Sequence, residues 1–392
     1  MNTARPSFRV AIACGGTGGH LFPGLAVGQE LVARGCDVSL LVSPKVVDQQ
    51  AVRCLADEFE IVTLPAIGLA GGNLPAFAAA GVRSFLAARR AFRDAPPHAV
   101  LAMGGFTSAP PVLAGSRAGA VTFLHESNTL PGRANRWLAH VVDECFVGFP
   151  EAAGRLWNPR VTVSGTPVRP QFAAMDPAGA RSALGLDPDR PVLLVMGGSQ
   201  GAEGVNRLVT AALPGLAAAV PELQFFHLTG SAGFDAVKAA YAPLGRRARV
   251  RPFFSEMELL LGAATLAISR SGASSLAELA AMGVPSLLVP YPAAVDDHQS
   301  HNAAAFTSTG AAETLVQGRT TPEQLTGAVC ALLADTARRE AMAAAATRLH
   351  APDAASLIAG RILALTSQFH SPVPSRPMPL KPRMRSPKEA VA

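Results

Sequence analysis

An apolar run at residues 8–13 ends in Gly15-Gly16-Thr17-Gly18-Gly19 and passes into a helical pattern at 23–34, closed by Gly35. The same order returns far down the chain, where the apolar run 192–196 ends in Gly197-Gly198-Ser199-Gln200-Gly201 and another helix follows. An apolar strand, a glycine turn and a covering helix make up the repeating unit of a parallel sheet. A chain that starts this unit twice is therefore predicted to hold two α/β halves. Further apolar runs at 38–42, 100–103 and 121–124 extend the first half, and those at 225–228, 250–253, 266–269 and 286–289 extend the second. The restart follows Ser164-Gly165-Thr166-Pro167-Val168-Arg169-Pro170, which places the boundary near Gly165.

The 392 residues are 49% hydrophobic and 16% charged, enough apolar material for two cores. Five scattered cysteines without CxxC spacing argue against a disulfide framework or a zinc site and fit a reducing compartment. The formal charge of +6 is partly carried by Arg376, Lys381, Arg383, Arg385 and Lys388 near the C-terminus. No basic stretch is interleaved with aromatics, so nucleic acid is not an expected partner, and an anionic membrane leaflet suits such charge equally well. No run approaches the ~20 apolar residues of a spanning helix, and residues 1–6 do not read as a signal peptide. From residue 371 onward proline and basic residues dominate, and disorder is expected.

Ligands of open parallel sheets sit beyond the carboxyl ends of the strands, where the glycine loops fall. Glycine lets backbone approach a phosphate, and the following helix offers free N–H groups and the positive end of its dipole. Several such loops suggest more than one phosphate-bearing ligand, although each alone also reads as a tight turn. None is a dinucleotide fingerprint in frame, and no GxxxxGK[ST] is present. His20 at a helix start is expected to face the cleft, or to bond a backbone group there. His125-Glu126-Ser127-Asn128 follows an apolar strand and is expected to project into the cleft, or to cap the next helix. Arg169, between two prolines, suits a ligand or an inter-domain ion pair. Glu278 suits a ligand or a helix cap. Asp296, Asp297 and His298 form a polar loop that is at most a weak metal set.

Taken in order, Gly15–His20, Gly104-Gly105-Phe106-Thr107-Ser108-Ala109-Pro110, His125–Asn128, Gly197–Ala202, Arg270-Ser271-Gly272-Ala273 and Asp297-His298-Gln299 with Asn302 resemble one enzyme family. It is the MurG family of peptidoglycan N-acetylglucosaminyltransferases, which convert lipid I to lipid II. The resemblance runs from about residue 9 to about 365. Ser127 stands where glutamine is more common in that family, and Phe106 where tyrosine is.

The resemblance implies the GT-B fold, two doubly wound Rossmann-like domains facing each other across a cleft. The expected division is an acceptor and membrane domain at 1–164 and a UDP-N-acetylglucosamine domain at 165–350. A helix near 351–366 is expected to pack back on the first domain, followed by a disordered tail at 367–392. The resemblance implies donor contacts from Thr17, Gly18, Gly19, Asn128, Arg169, Ser199, Phe254, Ala273, Ser274, Ser275, Glu278, His298 and Gln299. Arg169 and Ser199 would meet the diphosphate, the backbone near Phe254 the uracil, Glu278 the ribose and Gln299 the sugar. Gly15, Gly16, Gly104 and Gly105 would take the acceptor diphosphate. His20 is the first choice for general base and Glu126 the second. The reaction would invert the anomeric centre with no metal and no cofactor, Arg169 and a helix dipole replacing the cation.

Residues 67–93 carry Leu69, Leu74, Phe77, Val82, Phe85, Leu86 and Phe92 with Arg83, Arg89, Arg90 and Arg93. In the family this stretch rests on the cytoplasmic face of the cell membrane, so peripheral binding to an anionic leaflet is expected, with cell-wall and division proteins as further partners. The stretch also reads as an amphipathic core helix. The rivals are a diacylglycerol glycosyltransferase, a UDP-N-acetylglucosamine epimerase, which would need a pair of acid/base carboxylates, and a catalytically silent cell-wall scaffold.

Overall fold

The computed structural model describes residues 6–16, 18–45, 48–49, 52, 58–65, 74–105, 107–198 and 201–374. Thr17 and Ser199, expected at the donor, lie outside the described residues, as do Phe106, Leu69 and the chain beyond 374.

The first lobe is built on seven parallel strands: β2 (Arg9–Ala13), β3 (Asp37–Val42), β4 (Glu60–Thr63), β5 (Ala99–Ala102), β6 (Val121–Glu126), β7 (Glu144–Val147) and β8 (Val161–Val163). Their spatial order is β4-β3-β2-β5-β6-β7-β8. The second lobe has six: β9 (Val192–Met196), β10 (Gln224–Leu228), β11 (Ala248–Arg251), β12 (Leu266–Ser269), β13 (Ser286–Leu288) and β14 (Ala312–Thr314). They lie in the order β11-β10-β9-β12-β13-β14. Each central strand is buried along its length, and its alternate residues feed separate cores on the two faces of its sheet. Val10 and Ile12 face one core, and Ala11 and Ala13 the other.

In a doubly wound sheet the order reverses at one place, and the loops there diverge to leave a crevice. The reversal lies between β2 and β5 in the first lobe and between β9 and β12 in the second. The loops that leave these four strands are Gly15–Gly19, Gly104-Gly105, 197–201 and Arg270-Ser271-Gly272. The motifs singled out in the sequence thus stand at the two switch points.

Helix Gly18–Ala33 begins before the periodic stretch at 23–34 and takes Gly18, Gly19 and His20 into its first turn. Pro23 therefore lies inside the helix. It has no N–H to offer the carbonyl four residues earlier, so the Gly19 carbonyl is left for another donor.

The chain crosses between lobes at Gly165 (φ 77°), where a Cβ would collide with Ala351. After the second lobe, helix Ala354–Phe369 returns to the first. Ile358, Ala359, Ile362 and Leu365 join the core beneath β2 and β3, and Arg361 pairs with Glu144 at 2.9 Å. Order continues past residue 367, contrary to the expected start of the disordered tail. The helix runs to Phe369, and β15 (Val373–Pro374) pairs antiparallel with β1 (Pro6–Ser7).

Candidate active site between the lobes

On the first lobe, His20 lies against the second glycine loop. Gly104 and Gly105 have φ of 105° and 78°, a conformation that disfavours a side chain. A Cβ on Gly105 would lie 2.9 Å from His20 Cε1. The imidazole is thus packed on backbone rather than standing free in the cleft. Burial lowers its pKa to about 4; Asp48 opposes this shift, while Lys45 and His298 add to it.

The first glycine loop is tied inward at three points. Gly16 N–H donates to Asp48 Oδ2 at 2.6 Å, the Gly16 carbonyl accepts from Lys45 Nζ at 2.8 Å, and the Gly15 carbonyl accepts from Thr107 Oγ1 at 2.5 Å. Gly16 is thus held at both its N–H and its carbonyl, and Gly15 at its carbonyl. The open N–H groups of this region belong to the first turn of the Gly18 helix. Gly104 is occupied in part, since its carbonyl accepts from Ser108 Oγ at 2.7 Å. Asp48, the buried anchor of the loop, escaped the sequence reading because nothing local marks it.

The side chains after β6 are also redirected. His125 was expected in the cleft but is fully buried, with Nε2 at 3.0 Å from the Gly165 carbonyl and Nδ1 at 3.2 Å from Ser127 Oγ. Its burial lowers its pKa to about 4, so it pins the lobe junction as a neutral ring. Glu126, the second candidate base, is buried and accepts four hydrogen bonds. They come from Asn128 N (2.8 Å), Asn128 Nδ2 (3.0 Å), Gly132 N (2.9 Å) and Asn135 Nδ2 (2.7 Å). A carboxylate so saturated shapes a loop and has no ready site for another proton donor. Asn128 in turn accepts from Asn302 Nδ2 at 3.0 Å, which leaves one of its amide hydrogens for a ligand.

The second lobe supplies an uncapped helix end. Helix Ala273–Ala281 starts after Gly272 without a side-chain cap, so its first N–H groups point at the cleft. Glu278 lies too far along this helix to cap it. Burial raises its pKa to about 7; Arg169 opposes that shift and Glu258 adds to it. Arg169 is not in an ion pair among the described residues. Its guanidinium is held between the rings of Phe22 (4.8 Å) and Phe172 (5.2 Å), one from each side of the boundary, and its buried Nε has no partner. A fixed cation with an unused donor and a helix end without a cap are each features that suit an anion.

Phe254 sits edge-on to Phe226 at 5.5 Å, anchoring the loop after β11. Gln299 Oε1 accepts from Tyr291 N at 2.9 Å, and His298 Nδ1 lies 2.8 Å from the Val295 carbonyl. Asp296, Asp297 and His298 do not converge. Asp296 pairs with Arg136 of the first lobe at 3.2 Å, and Asp297 accepts from Ser300 Oγ at 2.7 Å. Among the described residues no three metal-ligating groups come together.

The two lobes touch directly. Ser274 Oγ donates at 2.9 Å to the Gly19 carbonyl, the one that Pro23 leaves unpaired. Ser275 lies next on the same helix turn, so Ala273–Ser275 and Gly18–His20 face each other across the cleft.

Models of the glycosyltransferase family 28 N-terminal and C-terminal domains match residues 10–147 and 192–358. A UDP-N-acetylglucosamine--N-acetylmuramyl-(pentapeptide) pyrophosphoryl-undecaprenol N-acetylglucosamine transferase of Desulforudis audaxviator is 38% identical over 361 residues, covering 88% of this chain and 95% of that one. The transferase of the same description from Xanthomonas campestris strain B100 is 41% identical over 364 residues, covering 90% and 81%. The chain belongs to the MurG family. The crystal structure of Acinetobacter baumannii MurG superposes with a TM-score of 0.70 at 28% identity, over 92% of this chain and all of that one. The GT-B arrangement of this MurG-family chain is also shared with a putative UDP-N-acetylglucosamine 2-epimerase from Listeria monocytogenes (TM-score 0.69, 16% identity). That likeness concerns the fold alone.

Proposed function

We propose that this chain transfers N-acetylglucosamine from UDP-N-acetylglucosamine to the 4-hydroxyl of the muramoyl sugar of undecaprenyl-diphospho-muramoyl-pentapeptide, with inversion and without a metal ion. The supporting observation is the opposition of His20 on one lobe to the uncapped Ala273 helix and Arg169 on the other. Attack at C1 needs a base on the acceptor side and stabilisation of charge on the departing diphosphate. A neutral imidazole supplies the first, and the helix end with Arg169 the second. Given lipid I and a panel of UDP-sugars, the chain should turn over UDP-N-acetylglucosamine. Transfer from every UDP-sugar but this one would refute the assignment.

Glu278 is the proposed ribose acceptor. Ribose hydroxyls donate best to a carboxylate, and Glu278 ionises only as pH rises through about 7. UDP affinity measured by calorimetry should therefore weaken as pH falls from 8 to 6. In Glu278→Ala it should be lower throughout and lose that part of its pH dependence. Unchanged UDP affinity in the variant would make Glu278 a structural residue.

Docking on the cytoplasmic leaflet is proposed for the face around helix Leu74–Asp94. Among the described residues no helix is long and apolar enough to cross a membrane. Of the residues expected in the interface, Phe92 is buried in the core instead, packed on the face that also holds Ala88. Val82 and Leu86 are exposed, as are Arg83, Arg89, Arg90 and Arg93. Phe77, Phe85, Leu113 and Trp137 line an apolar cavity of about 460 Å³ between this helix and helix Ala109–Arg117. Trp137, one of the two tryptophans of the chain, is exposed on this cavity. Anionic vesicles should shift tryptophan emission to the blue, reversibly with salt. Each basic residue near such a surface is worth about 1 kcal/mol. Arg89→Glu with Arg90→Glu should thus reduce vesicle binding and activity on lipid I, while activity on a short-chain soluble acceptor survives. Unaltered sedimentation of the double variant with anionic vesicles would show that this is not the docking face.

A further inference from the structure

Asn302 stands on helix His298–Thr307 of the second lobe and is fully buried. Its Oδ1 accepts from Thr129 N and from Thr129 Oγ1, both at 3.0 Å. Its Nδ2 donates to Asn128 Oδ1 at 3.0 Å and to the Ser271 carbonyl at 3.1 Å. A carboxamide has two acceptor positions and two N–H groups, so its capacity is fully used. Three of these bonds reach the first lobe, and the fourth holds the loop that starts the Ala273 helix. The helix of Asn302 also carries Gln299, whose carbonyl accepts from Ser271 Oγ at 2.7 Å. On the other side Asn128 hangs from Glu126. One buried amide therefore joins the donor-side loop to the loop organised by Glu126.

We infer that Asn302 is a positioning residue, a latch between the lobes that couples a loaded donor site to the alignment of the acceptor side. The inference rests on the transfer reaction proposed above. The physical basis is the cost of an unsatisfied buried amide. With the lobes apart, water can serve Asn302; with the lobes together, only the correct register satisfies all four groups. Near-closed arrangements leave a buried donor or acceptor unpaired, so the latch selects one closed geometry. The bond from Ser274 to the Gly19 carbonyl, available because of Pro23, crosses the cleft in the same closed state. Asn302 acts through these neighbours and need not touch the reacting atoms.

Asn302→Ala and Thr129→Val break the latch from opposite lobes. Kinetics with UDP-N-acetylglucosamine and a lipid I analogue, UDP calorimetry and small-angle scattering with and without donor would read the result. Asn302→Ala should lower kcat by about 10- to 100-fold, the effect of several lost buried hydrogen bonds. Thr129→Val should lower it less. UDP affinity should fall in both by much less than kcat does, because UDP itself rests on the second lobe and gains from closure only through the latch. The wild type should compact on binding donor, and Asn302→Ala should not. The double variant should be no slower than Asn302→Ala, since one latch is broken twice. Unchanged kcat, an equal loss of UDP affinity, or effects that multiply would each overturn the inference. If Asn302→Ala does not fold, Asn302→Asp keeps the acceptor oxygens and removes the donors, and the same comparison applies. Wild-type protein that compacts with donor yet transfers no sugar would remove the transfer reading and not the latch. Full activity in every variant would remove the latch alone.

Discussion

His20→Ala should lower kcat by about 10²–10⁴-fold and leave UDP affinity within about twofold, as expected when a general base is lost. The imidazole lies on the backbone of Gly104 and Gly105, at the first turn of a helix that faces the donor lobe. With a pKa of about 4 it is protonated only in acid, so the form that can accept a proton prevails throughout the neutral range. The loss in His20→Ala should accordingly be as large at pH 6 as at pH 8. A low pKa also makes a weaker base, and the charge of Asp48 counters that in part. Wild-type turnover in His20→Ala would remove His20 from the mechanism.

Glu126→Gln should lower both stability and activity. Four N–H groups converge on this carboxylate, and glutamine would replace one of its oxygens with an amide that repels them. Each buried donor left unpaired costs about 1–3 kcal/mol, so a loss of about 2–4 kcal/mol is expected, visible as a lower Tm. Turnover should fall with it, because Asn128, Thr129 and the contact to Asn302 hang from this loop. A catalytic base at this position would behave differently, losing turnover with Tm unchanged. Thermal unfolding and kcat of the one variant separate the two roles.

The sheets were readable because their signal is local. Val192–Met196 and Leu266–Ser269 are continuous apolar runs, and the structure has strands with those very bounds. Strands Glu60–Thr63 and Ala312–Thr314 were missed because an edge strand, half exposed, carries no such run. The start of the first helix was misplaced because Gly18 and Gly19 are poor helix formers, and here tertiary context overrides propensity. The motifs located the site, but their bonding was not legible. Asn302 and Thr129 are 173 residues apart, and Gly16 and Asp48 are 32 apart. Nothing in either neighbourhood announces the partner. The polar run His125–Asn128 looked like cleft chemistry because it ends a strand. The fold buries three of its members, and only the return of the chain at Gly165 and the turn at Gly132 shows why.

Metal-independent, inverting transfer onto the muramoyl 4-hydroxyl has a stereochemical and a stoichiometric signature. The most direct measurement follows purified protein with UDP-N-acetylglucosamine labelled at C1 of the sugar and a soluble lipid I analogue, in excess EDTA, by NMR of the product. One UDP should be released for each disaccharide formed, with a β linkage to the 4-position and a rate unchanged by added magnesium. An α linkage, transfer to another hydroxyl, or turnover that appears only when magnesium is restored would contradict it.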